Sequence, residues 1–118
     1  MSPFEEMYMG RVKNVPCVIC ADPRVDVHHL MTGLGGGRMH LLTAPLCLKH
    51  HPRPGGKDVN YTDAQEIALL LETFREIEKR WPGHVAQVKA LLLADRAIQR
   101  RILTHAGRGL KTILERTS

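Results

Sequence analysis

From residue 62 onward the apolar positions recur at helical spacing, and before residue 58 they do not. Ile67, Leu70, Leu71, Phe74, Ile77 and Trp81 fall at i, i+3, i+4 intervals and predict one amphipathic helix. Thr62 and Gln65 stand ahead of it with the T-x-x-Q spacing of a capping box, and Asp63 suits the positive end of the helix. Pro82-Gly83 should end it. A second helix is expected from Val85 to Thr104, with Val88, Leu91, Leu92, Ile98 and Ile102 inward. Gly107 and Gly109 should break it and leave Leu110–Arg116 for a last short helix.

Residues 15–57 read differently. Turn formers cluster at Asp22-Pro23, Gly33, Gly35-Gly36-Gly37 and Pro52-Arg53-Pro54-Gly55-Gly56. Short β segments fit at Arg24–His29 and Leu41–Pro45, joined by the Gly-rich stretch. A short helix could begin around Pro45–Cys47 and must stop by Pro52. Residues 1–14 give only a short lead-in, helical or extended. The expectation is an α+β chain in which a small core at 15–57 packs as one domain with a helical extension at 58–118.

Composition narrows the class. A chain of 118 residues, 43% hydrophobic and 25% charged, suits one globular domain with a modest core. The longest apolar runs, Ile67–Leu71 and Ala90–Ala94, are far too short for a bilayer span. The first residues are acidic early and lack an apolar signal core, so the sequence predicts a soluble, cytoplasmic protein with no membrane partner. Phe4, Tyr8, Tyr61, Phe74 and Trp81 are the whole aromatic complement, too few for a platform that stacks single-stranded bases.

The net charge of +5 is unevenly placed. Residues 1–81 carry equal numbers of acidic and basic side chains. The excess lies beyond, in Lys89, Arg96, Arg100, Arg101, Arg108, Lys111 and Arg116 against Asp95 and Glu115. On the expected second helix, Lys89, Arg96 and Arg100 share an outer face and Arg101 adjoins it. This is the surface expected to meet phosphates. Arg38 and Lys49 are further candidates for phosphate contact. Gly33–Gly37 is no P-loop, because no Lys-Ser/Thr follows it.

The chemistry concentrates between Cys17 and His51. Cys17-x2-Cys20 closes one knuckle and Cys47-x2-His50 a second of equal span. Together they make a tetrahedral Cys3His donor set suited to structural Zn²⁺, with His51 an alternative to His50. Three cysteines cannot form a closed disulfide framework, and a CxxC redox pair would leave Cys47 and the histidines without a role. His28, His29, His40 and His51 remain. Adjacent histidines on a strand face opposite sides, which suits two imidazoles with separate tasks.

With these residues in place, residues 15–57 resemble the ββα-metal fold of HNH endonucleases, in the branch that carries a structural zinc. VDVHH…PLCLKHH is most similar to phage recombination-enhancement (Ref-like) nucleases. The resemblance covers about a third of the chain and none of residues 62–118. It implies that His28 and His51 hold a catalytic Mg²⁺ or Mn²⁺, and that His29 is the general base. It further implies DNA phosphodiester hydrolysis to 5′-phosphate and 3′-hydroxyl ends, with a recombinase as a candidate partner; separately, the apolar stripes of the C-terminal helices offer a surface through which a second copy could pair. Where the family has its middle Asn, five residues before the second knuckle, Leu42 stands. His40, two residues away, could fill that slot or belong to the loop, and Leu42 could still offer its backbone carbonyl. This departure supports an alternative, a non-catalytic zinc-bearing DNA-binding module. A CxxC thiol oxidoreductase is a third reading, disfavoured by the lack of a βαβ pattern.

Overall fold

The computed structural model describes residues 1–31, 39–51, 61–104 and 107–116. Within them the chain is a small α+β fold of one two-stranded sheet and five helices. Helix α1 (Pro3–Lys13) is a full helix within the segment expected to be only a short lead-in. Ser2 and Glu5 form a complete capping box and Pro3 occupies the first turn, where its missing N–H costs nothing. Strands β1 (Val25–His29) and β2 (Thr43–Cys47) pair antiparallel, with Val25 opposite Cys47 and His29 opposite Thr43.

That register moves β2 two residues beyond the expected Leu41–Pro45. Leu42 instead lies in the turn entering the strand, its N–H donating to the Met39 carbonyl at 3.0 Å. The short helix expected from Pro45–Cys47 is a single turn among the described residues. The His50 and His51 N–H groups both donate to the Cys47 carbonyl, at 3.0 and 2.9 Å.

Helix α2 (Asp63–Arg80) follows the pattern, with the Thr62–Gln65 capping box formed and Leu70, Phe74 and Ile77 buried. The expected second long helix is two helices, α3 (His84–Ala94) and α4 (Arg96–Ile102). Asp95 divides them: its backbone is extended and its carboxylate caps α4 by accepting the Ile98 N–H at 3.1 Å. Leu91, expected inward, is 47% exposed. Helix α5 (Arg108–Glu115) begins two residues early and contains Gly109 rather than stopping at it. A Cβ at Gly109 would lie 3.3 Å from Ile67, so glycine lets α5 settle onto α2. Gly107 is tighter, because a Cβ there would lie 1.9 Å from the Arg101 carbonyl oxygen.

Helix α1 packs on both strands, α2 packs on β2, and α3 and α5 cover α2. One contiguous set of buried side chains runs from Tyr8 through Leu30, Leu42 and Leu46 to Leu70, Leu92 and Leu114. The hairpin and the C-terminal helices therefore share a core. Among the described residues no helix is long and apolar enough to cross a membrane.

Candidate metal centre and histidine cluster

Two loops and a strand end build the first cluster. The Cys17–Ala21 loop is closed by the Ala21 N–H donating to the Cys17 carbonyl at 2.8 Å, with Ala21 in the left-handed region at φ 64°. Its Val18 N–H donates to the Pro45 carbonyl at 3.3 Å, docking the first knuckle on β2. Cys47 ends β2, and the turn after it returns His50 to the same point.

The donors of Cys17, Cys20, Cys47 and His50 all lie within 4.8 Å of one another. Cys20 Sγ is 3.5 Å from Cys47 Sγ, and His50 Nδ1 is 3.2 Å from Cys47 Sγ and 3.8 Å from Cys17 Sγ. Donors around tetrahedral zinc, with bonds of about 2.3 Å to sulfur and about 2.0 Å to nitrogen, stand about 3.6–3.8 Å apart. The residues fit a zinc ion, and none of the three thiols is in a disulfide.

Metal binding needs thiolates. Burial raises the Cys17 thiol, but the backbone N–H groups of Cys47, Ile19 and Cys20 outweigh it and bring the group down to about 7. Tyr61 donates its hydroxyl to the His50 carbonyl and so braces the second knuckle from the entrance to α2. Nothing in the sequence pattern marks Tyr61 for this part.

The remaining histidines divide as their strand positions require. His29 Nε2 lies 3.1 Å from His40 Nδ1 with the rings edge to face, so one nitrogen donates and the other accepts. The Thr43 hydroxyl donates to the His40 carbonyl at 3.3 Å and steadies that turn. The structure thus brings His40 beside His29, within the turn that enters β2. Leu42 is fully buried, and its carbonyl accepts the Leu30 N–H at 2.7 Å.

On the other side of β1, the His28 ring meets the His51 ring edge to face at 5.1 Å and the Tyr61 ring at 6.3 Å. His51 Nδ1 is buried without a hydrogen-bond partner among the described residues. Glu66, on the first turn of α2, was not anticipated. Its Oε2 lies 3.7 Å from His28 Nε2 and accepts the Met31 N–H at 3.2 Å. The signal was present in the sequence: Glu66 continues the buried line of Leu69, Leu70, Thr73 and Ile77 by one turn. A carboxylate at that position is a charge placed where the pattern expects an apolar group. Among the described residues, the Cys3His set is the one group whose donors all fall within 4.8 Å, so the His28 cluster is the looser of the two.

The expected phosphate surface holds less well. Lys49, Arg96 and Arg100 are exposed. Lys89 is on α3, apart from the arginines of α4, and donates to the Arg116 carbonyl at 3.2 Å. The single outer face drawn through residues 89, 96 and 100 is therefore broken at Asp95. Arg101 is 6% exposed, with both terminal nitrogens buried and without a partner among the described residues, so it is not a surface contact. Arg38 and the Gly33–Gly37 stretch lie outside the described residues.

Uncharacterized protein YdfU of Escherichia coli (strain K12) is 35% identical to the chain over 79 residues, covering 64% of the chain and 22% of that protein. The chain thus spans about a fifth of the length of this curated relative. No family profile matches the chain, and no solved structure does.

Proposed function

We propose that the chain is a metal-dependent DNA endonuclease of the HNH type, built on a zinc-stapled ββα-metal core. The observation that carries this reading is the pairing of His29 with His40 at 3.1 Å, while His28 on the opposite side of β1 meets His51. The arrangement separates a candidate proton acceptor from a candidate cation site by one residue of strand.

In this reading His29 accepts the proton of the attacking water, a task imidazole performs near neutral pH. His40 holds the His29 ring and takes the orienting part that the family gives to its middle Asn. His28 and His51 would hold Mg²⁺ or Mn²⁺, a fit supported by the buried, unpartnered Nδ1 of His51. When bound, the cation stabilises charge on the phosphate and the leaving 3′-oxygen as a Lewis acid. Cys17, Cys20, Cys47 and His50 hold Zn²⁺ and fix the strand end that positions the histidines.

A second reading is a non-catalytic zinc-bearing DNA-binding module. Leu42 favours it, being fully buried where the family has Asn. The test is nicking of supercoiled plasmid with Mg²⁺ or Mn²⁺. The nuclease reading expects cleavage by wild type and a loss of about 10²–10⁴-fold in His29→Ala at unchanged zinc content. DNA binding without cleavage under either cation would establish the second reading instead.

A further inference from the structure

Two imidazoles alone make a poor site for a hard divalent cation, which takes oxygen ligands and needs negative charge nearby. The cation site read from the sequence contains no carboxylate. We infer that Glu66 of α2 supplies it, as a third ligand beside His28 and His51; this rests on the reading above in taking those two histidines as the ligand pair.

The Glu66 carboxylate is confined, with its side chain 16% exposed, as is that of His28. Its 3.7 Å separation from His28 Nε2 is too long for a hydrogen bond. Donors on an octahedral ion with bonds of about 2.1 Å stand about 3.0 Å apart when cis and about 4.2 Å when trans, and the observed gap lies between these limits. One oxygen is fixed by the Met31 N–H at 3.2 Å, and Met31 itself is buried with a left-handed backbone at φ 60°. The carboxylate is thereby anchored at the point where the chain leaves β1, directly after His28 and His29. His51 Nδ1, buried and unpartnered, supplies an independent sign that this cluster lacks a partner. The donors are more widely spaced than those of the Cys3His set, so binding would draw them together.

This assignment gives the helical extension a part in the chemistry. Its first turn would carry a ligand that residues 15–57 lack.

The experiment titrates Mn²⁺ into zinc-loaded, full-length protein and follows the loss of the free-ion electron paramagnetic resonance signal. Wild type should bind one Mn²⁺ and Glu66→Gln should bind it at least about tenfold more weakly. The glutamine keeps an acceptor for the Met31 N–H, and zinc content and the thermal melt show that it has folded. Equal affinity in wild type and Glu66→Gln, or no binding by wild type, overturns the inference.

A second measurement needs no variant: sub-stoichiometric Mn²⁺ should broaden the NMR signals of His28, His51 and Glu66 first. Broadening centred elsewhere refutes the site. Plasmid nicking run alongside separates the two ideas. Cleavage without Glu66-dependent Mn²⁺ binding sinks this inference and leaves the nuclease standing. Glu66-dependent binding without cleavage does the reverse.

Discussion

The Cys3His set and the His28–His51–Glu66 cluster are neighbours, joined through the turn after Cys47, and are built on different principles. In the first, four donors lie within 4.8 Å, three of them thiols, and Cys17 and Cys47 are buried. In the second, two imidazoles and a carboxylate stand further apart, tied to the fold by the Met31 N–H and by ring contacts. A closed set of soft donors suits an ion that never leaves. A looser set with an oxygen donor leaves room for water and a substrate. Adjacent residues in one turn, His50 and His51, are divided between them. The strongest tests are those that damage one cluster and leave the other intact.

The largest effect should come from the closed set. Cys47→Ala removes a buried thiol at the end of β2, where both knuckles meet. Structural zinc is worth about 10–16 kcal/mol of apparent binding free energy in small zinc domains, so its loss is comparable to the whole stability of a chain this size. The variant should lose zinc by elemental analysis and show no cooperative melt by circular dichroism. A zinc-free variant with the wild-type melting temperature would show that the apolar core holds the hairpin without the ion.

A smaller, local effect is expected at His40. Replacing it by Ala removes the partner 3.1 Å from His29 while leaving every Cys3His donor in place. Plasmid nicking should fall about 10–100-fold, the usual cost of losing a group that orients another, with zinc retained. If His40→Ala cleaves as wild type does, His40 is a loop residue and the orienting part belongs to another group.

The C-terminal helices give a third comparison, between grip and scaffold. Deleting residues 82–118 would remove Val85, Val88, Leu92, Ile98 and Leu110 from the common core and so test folding rather than DNA contact. Substituting the exposed Arg96 and Arg100 by Ala avoids this. Each phosphate contact adds about 0.9 to the slope of log K against log salt, so the double variant should flatten that slope by up to about 1.8. An unchanged slope would move the phosphate surface elsewhere, for example to Lys49.

The sequence was most legible where one kind of pattern acted alone. In α2 the apolar period, the capping box and the Pro-Gly stop agree, and the helix forms where they place it. The Cys3His donors were legible because knuckle spacing is local geometry. The register of β2 was not, because only five residues pair and ligand and core demands overlap at Cys47. The break at Asp95 was hidden for a different reason: an aspartate inside an apolar period looks like a solvated face, whereas here its side chain caps α4. In α1 the Ser2–Glu5 capping box was present but unread, since its apolar positions are too few to show a period. Glu66 was overlooked because its partner, His28, is 38 residues distant and only the fold brings them together.

The smallest predicted effect concerns a histidine outside both clusters. His84 opens α3 but is 5% exposed, with its ring 5.5 Å from Phe4 and 5.4 Å from Tyr8, and its Nε2 buried without a partner. Burial holds it below the ordinary value of 6.5, and the nearby Arg11 pushes the same way, while Gln87 and Glu78 oppose them. The unfolded chain therefore binds a proton at a pH where the folded chain does not. Its contribution is fully present above the unfolded value of 6.5 and is lost as pH falls through the lowered folded value. Acid also protonates the zinc thiolates, so the measurement must be a difference between wild type and His84→Phe. Urea unfolding from about pH 7.5 to about pH 5.5 should show wild type losing ground to the variant by at most about 1.4 kcal/mol per pH unit. A constant difference across that range would mean that His84 carries no buried, neutral imidazole in the folded state.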